Sequence, residues 1–335
     1  MKVLLAAVNA KYIHSNLGIY SLKAYGEKML AEQGFKREQI QIELAEYTIN
    51  HQLEQILKDL YCRKPDVIGF SCYIWNISYI KCLLADIKKV LPEVKIWLGG
   101  PEVSYCGEEI LREQPAADLV MKGEGEETFA QLLQVLVEKE GSGASFSGYL
   151  EKIKQKWIPG LVFLDSQGNK DGAAWGTFTG SDGQAGWPVY DTGIRPPMDM
   201  NRIPFPYGFL EMEQLEHRII YYESSRGCPF SCAYCLSSID KSVRFRSLER
   251  VKEELFFFLN ARVPQVKFVD RTFNCKKSHA MAIWQFIREN DNGITNFHFE
   301  IAADLLDQEE LNLLSSMRPG LIQLEIGVQS TNPDT

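Results

Sequence analysis

From residue 1 to about residue 140, short apolar runs alternate with amphipathic stretches, and this rhythm restricts the fold more than any other feature of the chain. The repeat, roughly 25–30 residues, is that of successive βα units. Strands are predicted at 3–8, 41–44, 67–71, 95–98 and 119–121. Between them, Leu53, Ile56, Leu57 and Leu60 follow the i, i+3, i+4, i+7 spacing of a helix face, as do Ile80, Leu83, Leu84 and Ile87, and then Phe129, Leu132, Leu133 and Leu136. Helices on both faces of a parallel sheet make an α/β, doubly wound, flavodoxin-like (Rossmann-like) domain. Ligands of such domains sit beyond the carboxyl ends of the strands, at the switch point.

The loops at those ends read VNAKYIHSNLG, GFSCYIWN, LGGPEVSY and KGEGEETF. Glycine, having no Cβ, lets a backbone approach a flat ligand closely and accepts positive φ. Ser71, Gly99, Gly100, Glu124 and Gly125 are therefore expected to line one concave surface. Taken in order, Leu17-Gly18, Asp66–Ser71, Leu98–Glu102 and Asp118–Glu126 resemble the cobalamin-binding domain that precedes many radical S-adenosylmethionine enzymes. The resemblance implies a corrin at that surface. One departure is that the D-x-H-x-x-G signature, which supplies a histidine to cobalt in other cobalamin proteins, is missing. The chain reads His14-Ser15-Asn16-Leu17-Gly18 nearby, and His14 is either a loop residue or a ligand.

At 335 residues the chain exceeds one ordinary core, so two domains are expected. The formal charge of −8 argues against general nucleic-acid binding. No apolar run approaches a membrane span and no cleavage site follows the first residues, so a cytoplasmic protein with no membrane partner is expected. Eight cysteines then point to thiols in a reducing compartment. Five of them, Cys62, Cys72, Cys82, Cys106 and Cys275, are read as small buried hydrophobes.

Residues 1–140 thus form the first predicted domain, and 141–216, rich in Gly, Ser and Pro, a linker with a β-hairpin near 158–169. A third segment, 217–335, opens with the β-rich run 219–225 and reaches Cys228-Pro229-Phe230-Ser231-Cys232-Ala233-Tyr234-Cys235. Three thiolates at C-x3-C-x2-C spacing can hold three irons of a four-iron cube and leave the fourth open. A structural zinc site completed by His217 or Cys275 is the competing reading. The motif resembles that of radical S-adenosylmethionine enzymes. The resemblance implies a [4Fe–4S] cluster on Cys228, Cys232 and Cys235, S-adenosylmethionine on the open iron, Tyr234 beside its adenine, and contacts from Glu300 and Gln329. After the motif, strands at 266–269, 297–302 and 322–328 alternate with helices, as in a (β/α) barrel with its site at the strand ends. Polar residues stand there: Asp270 and Arg271, Glu300, Gln329 and Ser330. Only about four barrel strands can be placed before Thr335, so a partial barrel, and a fragment of a longer protein, is expected.

A cobalamin domain joined to a radical cluster implies methyl transfer to an unactivated carbon, with the two cofactors facing one another. An electron donor such as flavodoxin or ferredoxin would be a partner. The substrate, small or macromolecular, is not specified by any side chain. Two alternatives stand beside this: a methylthiotransferase-like enzyme acting on tRNA or protein, because Gly327-Val328-Gln329-Ser330 resembles that group, and a non-enzymatic cobalamin- or zinc-binding sensor.

Overall fold

The computed structural model describes residues 1–36, 38–138, 146–164, 188–208, 215 and 217–332, without the side chains of 146–148. The chain divides into two units, one of 1–12 with 18–197 and one of 13–17 with 198–335.

In the first unit, β1 (Lys2–Asn9) is buried along nearly its whole length. That is the signature of a central strand covered on both faces. It pairs in parallel with β2 (Gln41–Thr48) on one side and β3 (Val67–Ser71) on the other. The sheet continues in parallel through β4 (Lys95–Gly99) and β5 (Leu119–Met121). The order β2-β1-β3-β4-β5 is that of the doubly wound, flavodoxin-like class expected from the sequence, with its switch point between β1 and β3. Helices α1 (Leu17–Glu32), α2 (Leu53–Arg63), α3 (Ile77–Val90), α4 (Gly107–Glu113) and α5 (Glu126–Val137) connect and cover it. Ile80, Leu83, Leu84 and Ile87 are buried as their spacing predicts.

The stretch expected as a linker is shared between the units. After α6 (Phe146–Lys156), β6 (Leu161–Leu164) adds antiparallel to β5, and β7 (Val189–Asp191) adds antiparallel to β6, making a seven-stranded sheet. Leu161, Val162 and Phe163 are buried against that sheet, which explains why this pair is part of the first unit and not a separate hairpin. The expected turn at 165–169 and the start of the linker at 141–145 lie outside the described residues. Of the five cysteines expected to be buried only Cys72 is; Cys106 and Cys275 are half-buried, and Cys62 and Cys82 are exposed. Cys62 stands two residues beyond the buried Leu60 of α2, and Cys82 falls beside the buried stripe of α3, so both point off the apolar face.

In the second unit, β8 (Ile220–Tyr222), β11 (Gln265–Phe268), β12 (Asn296–Ile301) and β13 (Ile322–Ile326) form a parallel sheet in sequential order. Helices α7 (Leu248–Asn260), α8 (Lys277–Glu289) and α9 (Gln308–Ser315) join successive strands. Alternate residues point to one covered face. Tyr222, Phe268 and Phe299 meet Phe258, Phe273 and Trp284 there, with ring centroids 4.3–6.1 Å apart. The run 219–225 is broken at Glu223, because Ser224 turns its N–H and hydroxyl to the Asp270 carboxylate. Beyond the break, β9 (Ser225–Arg226) pairs antiparallel with β10 (Arg244–Phe245) and closes the intervening cysteine loop at its base.

Candidate functional site

Two features shape the cysteine loop. Gly227 has φ of +90°, and a Cβ there would lie 2.5 Å from the Ser242 carbonyl, so this sharp entry demands glycine. Cys228 N–H donates to the Asp240 carbonyl at 3.0 Å, holding the two arms together. Cys228 is buried while Cys232 and Cys235 are exposed. Hydrogen bonds from the Ser237 backbone N–H and hydroxyl, joined by the Arg271 charge and the Ser238 N–H, draw the Cys235 thiol below its ordinary value. These surroundings favour thiolate. Among the described residues no three His, Cys, Asp or Glu side chains converge as a metal-binding group, so the three thiols share a loop without meeting at a point.

Behind the loop lies a buried polar cluster. The Asp270 carboxylate, at the end of β11, accepts from Ser224 N–H at 3.0 Å, Ser224 Oγ at 2.7 Å and Ser225 Oγ at 2.5 Å. Burial pushes its pKa up to about 6, against the opposing pull of these three donors. His279 Nε2 lies 3.3 Å from Ser224 Oγ, and burial, aided by the Lys276 charge, lowers its pKa to about 4.

The opposite face of the sheet from the aromatic core carries Tyr221, Lys267, His298 and Glu300. Lys267 Nζ lies 3.1 Å from Glu300 and 2.8 Å from Glu325. Glu300 is half-buried in this ion pair, Tyr234 is 73% exposed on the cysteine loop, and Gln329 is exposed beyond β13 with φ of +58°. His14 is neither a free loop residue nor a member of the first unit. Its Nδ1 lies 2.6 Å from the Tyr221 hydroxyl, and Ile219 N–H donates to the Ile13 carbonyl beside it.

In the first unit, Ala7 is level with Ser71, Ser71 with Gly99, and Gly99 with Met121, so the expected loops leave the sheet along one edge. Asn76, fully buried, braces the loop after β3 by donating to the Val8 and Ser71 carbonyls, both at 2.9 Å, and accepting from Tyr73 N–H at 2.8 Å. Ser104 Oγ donates to the Gly100 carbonyl and accepts from Gly123 N–H, tying the next two loops together. Gly99 is buried, while Ser71, Gly100, Glu124 and Gly125 are half-buried. Gly100 has a local reason of its own to be glycine. Its φ is +113° and a Cβ would lie 2.5 Å from the Cys72 carbonyl, so glycine is required there by the neighbouring backbone whether or not a ligand approaches. Around the same loops Tyr12, Ile74, Trp75, Tyr105 and Ile194 are exposed, with Tyr73 and Trp75 stacked at 4.3 Å.

Residues 3–133 match the family model of the B12 binding domain, and residues 222–335 that of the radical SAM superfamily. The chain thus carries a B12 binding domain followed by a radical SAM domain. An uncharacterized methyltransferase of Pyrococcus horikoshii is 29% identical over 228 residues, 65% of this chain and 42% of that protein. Hopanoid C-3 methylase of Methylococcus capsulatus is 25% identical over 320 residues, 93% of this chain and 54% of the enzyme. An anaerobic magnesium-protoporphyrin IX monomethyl ester cyclase of Rubrivivax gelatinosus is 23% identical over 297 residues, 83% and 46% respectively. The chain thus spans about half the length of these curated relatives. In fold it matches the cobalamin-dependent radical enzyme OxsB, solved with aqua-cobalamin and S-adenosylmethionine bound, with a TM-score of 0.69 at 20% identity over 98% of this chain and 44% of that one.

As a radical SAM domain, the second unit calls for a [4Fe–4S] cluster and S-adenosylmethionine, and the B12 domain calls for cobalamin. The donor chemistry fits the cluster: three thiols on one tightly closed loop, one of them already biased to thiolate. For a corrin, the braced loops and the exposed aromatic and aliphatic side chains around them are an apt lining. Those apolar residues, the Asn76 brace and the partners of Asp270 (Ser224, Ser225 and His279) were not singled out in the sequence, although Asp270 itself was. The two aromatics within YIWN were the available signal for the first.

Proposed function

We propose that this protein is a cobalamin-dependent radical S-adenosylmethionine methyltransferase acting on an unactivated carbon. The observation that carries the reading is the pairing, in one chain, of a B12 binding domain with a radical SAM domain that carries the C-x3-C-x2-C loop. Relatives named methyltransferase and methylase support the reaction class. Cys228, Cys232 and Cys235 would hold the cluster, which supplies the electron that cleaves S-adenosylmethionine, while cobalamin carries the methyl group. Ser237 and Arg271 lower the pKa of Cys235, which eases its deprotonation on binding iron. Tyr234 offers a ring to the adenine. Glu300, held in place by Lys267, and Gln329 offer polar contacts to the rest of that cofactor. Ser71, Gly99, Gly100, Glu124 and Gly125 shape the cobalamin surface. The electron donor is of the flavodoxin or ferredoxin class, and the compartment is the cytoplasm. No helix among the described residues is long and apolar enough to cross a membrane.

A second reading, radical chemistry without methyl transfer, is favoured by the cyclase relative. One experiment separates the two. Anaerobically reconstituted protein is given cob(I)alamin and methyl-labelled S-adenosylmethionine. The methyltransferase reading expects labelled, protein-bound methylcobalamin. An intact cluster that yields 5′-deoxyadenosine under reduction while cobalamin stays unlabelled would overturn it in favour of the second reading.

A further inference from the structure

The loop after β11 reaches the cysteine loop at its buried thiol. Thr272 and Cys228 are 9% and 8% exposed, and Thr272 Oγ1 lies 3.7 Å from Cys228 Sγ, a hydrogen-bonding distance for sulfur. Two buried anchors fix the position of Thr272. Two residues before it, Asp270 holds Ser224 and Ser225 through three hydrogen bonds. Two residues after it, Asn274 donates to the Ala302 carbonyl at 2.9 Å and accepts from Ala302 N–H at 3.0 Å. A hydroxyl carried between such anchors keeps its aim without help from the thiol. Once Cys228 binds iron its sulfur has no proton, so the hydroxyl must be the donor.

We infer that Thr272 is a positioning residue that raises the reduction potential of the cluster by donating a hydrogen bond to the Cys228 sulfur. Reduction adds one electron from a low-potential donor and takes up no proton, and the added negative charge spreads onto the thiolate sulfurs. An O–H dipole aimed at one of them stabilises the reduced form more than the oxidised form. Cys232 and Cys235 are exposed, so water can replace a donor lost there. At Cys228 the low surrounding dielectric strengthens the bond and leaves no substitute.

The inference rests on the cluster assignment proposed above, and the test separates the two. The full chain is reconstituted anaerobically as wild type, Thr272→Val and Thr272→Ser, and the cluster potential is measured by EPR-monitored titration with dithionite. Thr272→Val is expected to disfavour reduction by about tenfold, which is 59 mV for one electron. Thr272→Ser, which restores a hydroxyl, should return to the wild-type value. Resonance Raman spectra of the wild type should also show a terminal Fe–S stretch that shifts in D2O, a readout that stands even where Thr272→Val fails to load. A loaded Thr272→Val protein with unchanged potential, or a wild-type Fe–S stretch indifferent to D2O, overturns the inference and leaves the cluster assignment intact. A wild type that assembles no four-iron cluster overturns both.

Discussion

Asp270 and His279 share the hydroxyl of Ser224 yet respond to acid in opposite senses, which makes their cluster testable without any cofactor. The folded protein binds a proton on Asp270 more tightly than the unfolded chain does, with a pKa of about 6 against 3.8. Its contribution is fully present below 3.8 and is lost as pH rises through 6. That gap corresponds to about 3 kcal/mol. His279 runs the other way, because the folded pKa of about 4 lies below the ordinary 6.5. Its contribution is present above 6.5 and lost as pH falls through 4, again about 3 kcal/mol. Between pH 6 and 4 the two nearly cancel. Replacing one should expose the other. Relative to wild type, His279→Gln should gain roughly 3 kcal/mol as pH falls from 6.5 to 4, and Asp270→Asn should lose a similar amount from 6 to 4. Urea unfolding of the thiol-reduced, cofactor-free protein at half-unit pH steps measures both differences and subtracts the background titration of other carboxylates. If the offset between either variant and wild type stays constant across that range, the reasoning is refuted.

Three other outcomes are expected. Single Ala substitutions of Cys228, Cys232 or Cys235 should remove most bound iron and abolish 5′-deoxyadenosine formation, measured by iron analysis and chromatography; one retained equivalent of zinc with no iron would contradict this. Arg246→Ala should cost about 3–5 kcal/mol in urea unfolding, because it strands the buried Glu254 carboxylate now 3.0 Å from the guanidinium. Gly100→Val should lower the thermal midpoint through its clash with the Cys72 backbone and cannot report on a ligand, whereas Trp75→Ala should leave the midpoint in place and weaken cobalamin binding about tenfold by absorbance titration, a loss of about 1.4 kcal/mol.

Short-range regularities were the legible ones. A helix stripe such as Ile80, Leu83, Leu84 and Ile87 is a statement about neighbours in sequence, and so is C-x3-C-x2-C. The doubly wound class followed because successive parallel strands need crossover helices, which leaves few topologies open. Segments whose partners are distant were harder. The apolar run 161–164 reads as a hairpin arm, and nothing local says that β5 is its neighbour. His14 sits in a loop between β1 and α1, yet its partner Tyr221 is 207 positions away.

The same distinction explains why the cysteines could be assigned from sequence while the groups that control them could not. Asp270 follows a strand and looks like any polar residue at a βα turn. Its meaning comes from Ser224 and Ser225, which β8 and β9 place beside it across a parallel ladder registered at Tyr222 and Phe268. Once Asp270 is pinned, the chain direction leaves Thr272 facing Cys228, 44 positions earlier. A thiol's identity as a ligand is written in spacing along one loop, but its electronic environment is written in strand pairing. Substitutions at Asp270 should therefore disturb the cluster loop through Ser225 and Thr272 together, even though Asp270 touches none of the three cysteines directly.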